Sequence, residues 1–135
     1  MASINGYLTF NGNCREAMEF YRSIFGLDFE SMMTFADGPD GVGGSDPNRI
    51  MHASLGFKSG ILMASDTPDD DPNFSEGNNF SLCLDTDSQT QTDEWLAKLS
   101  DGGKVTFPAQ KTFWGAYFAM CRDKFGINWM LMCEH

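Results

Sequence analysis

Hydrophobic and polar residues alternate over residues 4–10, which predicts a β-strand with one apolar face. The next segment, "NGNCREAMEFYRSIFG", changes to helical spacing, so a helix is expected directly after this strand. Asn13 and Glu16 form a capping-box-like pair at the start of the helix, and Gly26 stops it. The apolar residues of the helix form one stripe that needs a sheet to pack on: Ala17, Phe20, Tyr21, Ile24 and Phe25.

The same order of elements recurs in the second half of the chain. "LDFESMMTF" predicts a second strand, and "RIMHASLGF" with "GILMASD" predicts a hairpin that turns at Lys58 and Ser59. After the acidic loop 68–76, "NNFSLCLD" predicts a strand and residues 88–100 a helix. Strands are then expected in "KVTFP", "GAYFAMCRD" and "INWMLMC". This pattern predicts an α+β fold of two βαβββ modules, residues 1–67 and 77–135, that together form one structural domain.

Composition and charge narrow the classes of partner. The 135 residues include nine basic and nineteen acidic ones, and the net charge of −10 disfavours binding to nucleic acid or to an anionic membrane. No segment approaches the roughly 20 apolar residues that span a bilayer, and the first residues do not resemble a signal peptide. The four cysteines are widely spaced without a C-x-x-C motif and are expected to be reduced. A cytoplasmic location is therefore expected.

Three segments carry a resemblance to a known family: "YLTFNGNCREAMEFYRSIFG", "RIMHASLGF" with "ILMASD", and "TFWGAYFAMCRDKFGINWML". They resemble the PhnB-like branch of the vicinal-oxygen-chelate superfamily, which includes glyoxalase I, fosfomycin-resistance proteins and extradiol dioxygenases. Members of this branch are often labelled 3-demethylubiquinone 3-methyltransferase-like. The resemblance implies that the curved mixed sheets of the two modules form a shared cleft, and that the protein is a homodimer.

In this superfamily a divalent metal is commonly held by four strand residues, usually His and Glu. The resemblance places other residue types at those positions: Asn5, Met63, Asn79 and Met130. Divalent ions of this kind prefer imidazole nitrogen or carboxylate oxygen, whereas thioethers suit Cu(I). The chain also has no glycine fingerprint typical of an S-adenosylmethionine site. We therefore expect a cleft without a metal and without a cofactor.

Strand alternation predicts which side chains line the cleft. In "RIMHASLGF" one face is wholly apolar, and the other carries His52 and Ser54. Folding the hairpin pairs His52 with Ser65 and Ser54 with Met63. No carboxylate occurs in the middle of these strands. The long loop 36–48 is interpreted as a candidate lid over the cleft. The same rule applied to the other strands adds Asn5, Tyr7, Thr9, Asn79, Ser81, Cys83, Asn128, Met130 and Met132.

Three residues each allow two interpretations. His52 is a candidate acid–base catalyst or ligand anchor, and equally a hydrogen-bonded structural residue between two strands. Asp66 could orient His52, although an Asp before "TPDDDP" more often starts a turn. Trp114 in "TFWG" is either a wall of the ligand site or an edge aromatic in a dimer interface.

The sequence thus predicts a small-molecule-binding protein whose ligand is a polar metabolite or an antibiotic. The alternative is a glyoxalase-, dioxygenase- or lyase-like enzyme that is metal-dependent or uses His52 as an acid–base group. The expected partners are a small-molecule ligand and a second copy of the chain, with neither nucleic acid nor membrane. His52 is the candidate catalytic residue, and the candidate ligand-binding residues are Tyr7, Ser54, Met63, Ser65, Asn79, Trp114 and Met130.

Overall fold

The computed structural model of the protein describes residues 2–39 and 44–134. The candidate lid at residues 36–48 includes residues 40–43, which lie outside the described residues. No described helix is long and apolar enough to cross a membrane. The helices and strands are β1 (Gly6–Phe10), α1 (Cys14–Phe25), β2 (Phe29–Thr34), β3 (Ile50–Phe57), β4 (Gly60–Asp66), β5 (Leu82–Asp85), α2 (Gln89–Leu99), β6 (Lys104–Lys111), β7 (Tyr117–Arg122) and β8 (Asn128–Cys133).

The chain divides into two compact units, Met1–Ser75 and Glu76–His135. Each unit has one helix and a four-stranded mixed sheet, with the strand order β1-β4-β3-β2 in the first and β5-β8-β7-β6 in the second. The first and last strands of each unit, β1 with β4 and β5 with β8, are parallel, and the other pairs are antiparallel. The predicted α+β class and the order strand, helix and three strands are therefore confirmed.

The first sheet packs one face against α1 and presents the other face outward. Successive side chains of a strand point to opposite faces of the sheet, so every second residue lies on the helix side. These helix-side residues are buried against α1. The hairpin register pairs Ser54 with Met63, as the sequence predicted. Contacts of α1 are made with β3 and β4, the two central strands. The buried helix-side set is Leu8, Ala53, Leu55, Leu62 and Ala64.

The N-terminus of α1 is held by Asp66 and not by the predicted capping box. Asp66 is 4% exposed, and it accepts hydrogen bonds from the backbone N–H groups of Gly12 (2.8 Å), Cys14 (3.0 Å) and Ile50 (2.9 Å). The Asn13 side chain makes no capping bond, so that prediction was wrong. The backbone of Asn13 has ψ 21°, whereas a capping residue is usually extended. Asp66 therefore joins the end of β4 to the starts of α1 and β3.

The end of α1 follows the sequence prediction at Gly26. This residue adopts a left-handed conformation with φ 67°, and its N–H donates to the carbonyl of Arg22. Glycine adopts this conformation without a steric penalty, which is why it ends helices so often. The predicted apolar stripe is also present on the buried side of the helix, with Ala17, Tyr21, Ile24 and Phe25 buried.

The second unit uses a conventional cap and a larger aromatic core residue. Ser88 is extended, and its hydroxyl accepts a hydrogen bond from the N–H of Gln91 at 3.0 Å, so α2 begins as predicted near residue 88. Trp129 is fully buried on the helix side of the sheet. Its indole N–H donates to Asp123 at 2.8 Å, which satisfies the polar atom of this large side chain.

The strand predicted in "NNFSLCLD" is shorter than expected. β5 includes only Leu82–Asp85, and Phe80 is 53% exposed. The parallel partner β8 begins at Asn128, which this register sets opposite Ser81, so the residues before Ser81 have no neighbouring strand to pair with. The Asn128 side chain instead donates to the carbonyls of Asn78 and Phe80. Asn79 and Ser81 were therefore wrongly predicted as strand residues.

Candidate functional site

The outward face of the first sheet carries most of the residues predicted for the site. The register sets Tyr7 beside Met63, and Ser54 beside Met63 on the opposite side of β4. Side chains two residues apart in a strand project from the same face. The residues two positions away from Tyr7, Ser54 and Met63 therefore belong to the same surface. We call this surface the polar face, and it consists of Tyr7, Thr9, Ser31, Met33, His52, Ser54, Met63 and Ser65.

Tyr7 and His52 contact each other across β4, which lies between their strands. The Tyr7 hydroxyl is 3.2 Å from Nδ1 of His52, and the ring centroids are 5.8 Å apart. When the phenol donates this hydrogen bond, Nδ1 is the acceptor and the proton of neutral imidazole lies on Nε2. The imidazole then offers an Nε2–H donor to another molecule. Tyr7 is 48% exposed, so the pair is accessible from outside the sheet.

A second polar contact on this face involves a residue that the sequence analysis did not select. The hydroxyls of Ser31 and Ser54 are 2.9 Å apart, and Ser54 is only 6% exposed. Because each hydroxyl can donate or accept, the pair can turn either a donor or an acceptor outward. The register places Met33 beside His52 in the next row. Alternation in β2 would have identified Ser31 and Met33 if β2 had been included in the candidate face.

A β-bulge in β2 brings a carboxylate to one end of the polar face. The pairing of β2 with β3 shifts between Phe29 and Ser31, which leaves Glu30 as the extra residue. Gly56 lies two positions beyond Ser54, so a side chain there would project from the polar face. A Cβ at Gly56 would collide with the Glu30 carboxylate. Glu30 therefore covers the space that Gly56 leaves open. It belongs to β2, a strand that the sequence analysis did not assign to this face, and it places a carboxylate at this end.

Asp66 does not serve as a partner of His52. Its Oδ1 accepts the N–H groups of Gly12 and Cys14, and its Oδ2 accepts the N–H of Ile50. Both carboxylate oxygens are therefore used at the end of β4, on the helix side of the sheet. Asp66 therefore has a structural role, although its hydrogen bonds go to Gly12, Cys14 and Ile50 rather than to the turn that follows β4. The polar contact of His52 is a tyrosine instead of a carboxylate.

The four positions at which the superfamily resemblance expects metal ligands lie in different local environments. Asn5 precedes β1, and its Oδ1 accepts the N–H of Ile61 at 3.3 Å. Met63 lies in the middle of the polar face, and Met130 lies in the middle of β8. Asn79 is exposed before β5. Within residues 2–39 and 44–134, no group of three or more His, Cys, Asp or Glu side chains could hold a metal ion.

Met130 and Trp114 belong to the outward face of the second sheet. Met130 is paired with Met120 and Cys83 on its two sides. Trp114 lies in the β6–β7 connection and is 54% exposed. Its ring packs edge-on against Phe118 with centroids 5.8 Å apart, and Phe118 is opposite Met132 in the register. The structure therefore brings Trp114 close to the methionine rows of this sheet.

The cysteines are free and differ in accessibility. Cys14, Cys121 and Cys133 are buried, and Cys83 is exposed. Burial raises the pKa of Cys14 to about 12, and the Asp66 carboxylate adds to this effect. Burial also raises the pKa of Cys121 to about 12, with the Asp123 carboxylate contributing. Partial burial, followed by the charge of Asp85, raises the pKa of Cys83 as well. None of these three thiols is activated as a nucleophile.

A groove of about 480 Å³ opens beside the start of α1, and its lining includes none of the polar-face residues. It is lined by both signs of charge, including Arg15, Glu16, Asp46 and Arg49. Arg49 donates to the side-chain oxygen of Asn11 and to the carbonyl of Thr67. The Arg49 guanidinium therefore links the end of β4 to the β1–α1 turn by hydrogen bonds. The sequence analysis did not identify this groove.

Comparisons with known proteins agree on the family. A family model described as 3-demethylubiquinone-9 3-methyltransferase matches residues 2–132. The chain is 29% identical over 139 residues to the protein YjdN of Escherichia coli strain K12, with 95% of this chain and 92% of that protein covered. These matches extend over nearly the whole chain and therefore include both units.

Solved structures with the same fold add detail. Protein PA1353 from Pseudomonas aeruginosa is 39% identical with a TM-score of 0.89, and 99% of this chain and 98% of that chain are covered. A Bacillus cereus structure described as a putative 3-demethylubiquinone-9 3-methyltransferase, PhnB protein, has 23% identity, a TM-score of 0.78 and coverages of 98% and 99%. A glyoxalase/bleomycin resistance protein/dioxygenase family enzyme from Burkholderia phytofirmans PsJN has 13% identity, a TM-score of 0.67 and coverages of 96% and 98%.

Proposed function

The chain belongs to the family described as 3-demethylubiquinone-9 3-methyltransferase, the PhnB-like branch of the glyoxalase/bleomycin-resistance/dioxygenase fold, and on that premise we propose that it binds a polar small molecule on the polar face of its first sheet. The observation that carries the proposal is the contact between the Tyr7 hydroxyl and His52 Nδ1 at 3.2 Å. This contact orients an imidazole on an accessible sheet surface between other polar groups.

The polar face offers neutral hydrogen-bonding groups in its centre. Nε2–H of His52 is a donor when Tyr7 donates to Nδ1, and the hydroxyls of Ser54 and Ser65 can act in either direction. Met63 and Met33 supply flexible apolar contact between these groups. Such a surface suits an organic molecule with hydroxyl, carbonyl or amide groups, because each polar group can then be matched by a neutral partner.

Glu30 adds a charge requirement at one end of the proposed site. Its carboxylate lies over Gly56, two positions beyond Ser54 in β3. An exposed carboxylate accepts hydrogen bonds and repels other anions. The proposed ligand therefore has a hydrogen-bond donor, such as an amine or a hydroxyl, at the end that lies toward Glu30. A ligand with a carboxylate at this end is disfavoured.

The site is proposed to work without the divalent metal that the superfamily resemblance implies. The matching positions supply amides and thioethers at Asn5, Met63, Asn79 and Met130. Hard and borderline divalent ions prefer carboxylate and imidazole ligands, so this donor set does not fit them. In the proposed site the hydrogen bonds of the chain itself orient the ligand, and no step is assigned to a bound metal.

Methyl transfer, which the family description names, is not part of the proposal. The β1–α1 turn is the place where a nucleotide-type cofactor would approach a helix N-terminus. In this chain the amides of Gly12 and Cys14 already donate to Asp66. The guanidinium of Arg49 lies against Gly12, 3.2 Å from where a Cβ would be. The amides of Gly12 and Cys14 are thus already hydrogen-bonded by a carboxylate of the chain and are not free to bind a phosphate.

An enzymatic function is the second candidate, and the Tyr7–His52 contact is the observation that favours it. When the phenol donates to Nδ1, the proton of the neutral imidazole lies on Nε2, and a defined tautomer is a requirement for directed proton transfer. In this version the same face binds the substrate, and His52 moves a proton at Nε2. The two candidates differ in one respect, since only the enzyme converts its ligand.

A ligand-induced melting shift over a metabolite and antibiotic panel tests the proposal. We expect compounds with hydroxyl, carbonyl or amine groups to stabilise the native chain, and Tyr7→Phe and His52→Ala to lose that stabilisation. Tyr117→Phe is the matched control, because Tyr117 donates to Asp93 at the helix side of the second sheet. Ligands that stabilise all three variants equally would contradict the site. Product formation by the native chain, lost in His52→Ala with binding retained, would favour the enzyme.

A cytoplasmic homodimer is proposed as the form that carries this site. The proposal is supported by the family resemblance and by the four-stranded sheets, in which β2 and β6 are edge strands. Phe113 is 98% exposed beside Trp114, an aromatic pair of a kind that is often covered in assemblies. Light scattering coupled to size exclusion is expected to give twice the chain mass of 15.0 kDa. A mass of one chain at micromolar concentration would contradict the dimer.

A further inference from the structure

Sulfur side chains form a continuous row across the outward face of the second sheet. Cys83 in β5 is paired with Met130 in β8, and Met130 is paired with Met120 in β7. Met132 follows Met130 by two positions and so projects from the same face. Neighbouring strands are about 4.8 Å apart, a distance that flexible methionine side chains can easily bridge. The geometry therefore allows several sulfur atoms to converge above β8.

The exposure of these side chains distinguishes them from core methionines. Met120, Met130 and Met132 are partly exposed, and Cys83 is exposed. The opposite face of the same strands is closed by buried residues that include Trp129 and Leu131. The sulfur atoms are thus not needed to fill the helix-packed core. They lie on a surface where an ion from solution can reach them.

Thioethers and thiols are soft donors, and they select soft cations over hard ones. We propose that Cys83, Met120, Met130 and Met132 form a binding site for a monovalent soft cation, Cu(I). Asp85 lies beside Met132 in the register, and its carboxylate adds a favourable field for a cation. The site does not rest on the proposed ligand-binding function, since none of its donors lies on the polar face.

Binding leaves the oxidation state of copper unchanged. The ion enters as Cu(I) and remains Cu(I), and the three thioethers donate lone pairs without any bond being broken. Cys83 binds as a thiolate, so its S–H proton is released to solvent when the Cu–S bond forms. No oxidant or reductant takes part in the step. We therefore expect one proton to be released to solvent for each copper ion that binds.

Anaerobic titration of the full chain with Cu(I), in competition with a chromogenic Cu(I) chelator, tests the site. We expect one Cu(I) for each chain by native mass spectrometry, and Ag(I) is expected to compete while Zn²⁺ and Mn²⁺ are not. X-ray absorption of the copper-loaded chain is expected to show sulfur as the nearest scatterer. Failure of the native chain to withdraw Cu(I) from the chelator would overturn the proposal.

Methionine-to-leucine variants separate the site from other sulfur atoms, because leucine keeps most of the volume and removes the donor. Met130→Leu is expected to weaken Cu(I) binding at least tenfold, and Met120→Leu combined with Met130→Leu to abolish it. Met32→Leu is the matched control, since Met32 is paired with Ala53 on the helix side of the first sheet. Circular dichroism establishes that each variant is folded. Equal copper binding by the double variant and the native chain would overturn the assignment.

Discussion

The hydroxyl of Tyr7 lies 3.2 Å from Nδ1 of His52, across strand β4 of the first sheet. The contact joins β1 to β3 through side chains alone, since β4 lies between them. It also makes the imidazole tautomer depend on the phenol, because a donating Tyr7 requires an unprotonated Nδ1. The proposed ligand site depends on this pair more than on any other contact.

Removal of the Tyr7 hydroxyl is expected to weaken ligand binding without unfolding the chain. Tyr7→Phe keeps the ring contact with His52 and removes a hydrogen bond worth about 0.5–1.5 kcal/mol, so the dissociation constant should rise by up to about tenfold. Calorimetric titration with a stabilising compound from the panel measures the change. Tyr117→Phe should leave the dissociation constant unchanged, and an equal loss in both variants would argue against the site.

Replacement of Asp66 is expected to destabilise the first unit. Asp66→Asn keeps the size of the side chain but loses the charge and one of the two acceptor oxygens that serve three backbone amides, two of them in buried hydrogen bonds. An unsatisfied buried group costs about 1–3 kcal/mol, so the free energy of unfolding should fall by at least that amount. Urea denaturation measures it. Asp28→Asn, an exposed substitution, should change stability by less than about 0.5 kcal/mol. Similar losses in the two variants would contradict the assigned role.

Gly56→Ala is expected to displace Glu30 from the polar face. The added methyl group collides with the Glu30 carboxylate, and removal of that carboxylate should relieve the collision. A double-mutant cycle with Glu30→Ala is therefore expected to show a coupling of about 1 kcal/mol in the free energy of unfolding. Gly60→Ala is the control in the same hairpin, because a Cβ there has no neighbour within 4 Å. Additive effects of Gly56→Ala and Glu30→Ala would show that the two residues do not meet.

The two helix starts are expected to respond differently to alanine. Ser88→Ala removes a hydrogen bond to the N–H of Gln91 and should lower the free energy of unfolding by about 1 kcal/mol. Asn13→Ala removes no capping bond, and its effect should stay below about 0.5 kcal/mol. Thermal unfolding of both variants gives the comparison. A larger loss for Asn13→Ala would restore the capping box that the sequence suggested.

One cysteine is expected to react in the native chain. Cys83 is exposed, whereas burial raises the pKa of Cys14 and of Cys121 to about 12 and keeps them as thiols. Because partial burial and Asp85 raise the pKa of Cys83, its thiolate fraction and its alkylation rate should still be increasing with pH at pH 9.0. Mass spectrometry after iodoacetamide treatment should find one label, lost in Cys83→Ser. Fast labelling of several thiols below pH 8 would contradict this account.

Much of the fold follows from patterns visible in the sequence. The two periods, two for strands and 3.6 for helices, were enough to order the eight strands and two α-helices of the described residues, and Gly26 ended α1 as predicted. The hairpin turn fixed the register of Ser54 against Met63. Together with strand alternation, this register was enough to predict from the sequence which central residues share the polar face.

The remaining features depend on contacts between distant parts of the chain. The β-bulge that brings Glu30 over Gly56 adds one residue to β2, and strict alternation cannot represent it. The position of Asp66 at the start of α1 arises from the parallel pairing of β4 with β1. β5 cannot extend to Asn79 and Phe80 because β8 begins only at Asn128, opposite Ser81. Each of these depends on a partner far away in sequence, which local periodicity does not identify.

The most direct test of the central claim is the imidazole ¹⁵N–¹H NMR spectrum of the ¹⁵N-labelled chain during titration with the strongest compound from the panel. The chain has two histidines, and His52→Ala assigns their signals. We predict an Nε2–H tautomer for His52 in the free protein, and a saturable shift of its signals with the same dissociation constant as calorimetry. A compound that binds tightly while the His52 signals stay unchanged would contradict a ligand site on the polar face.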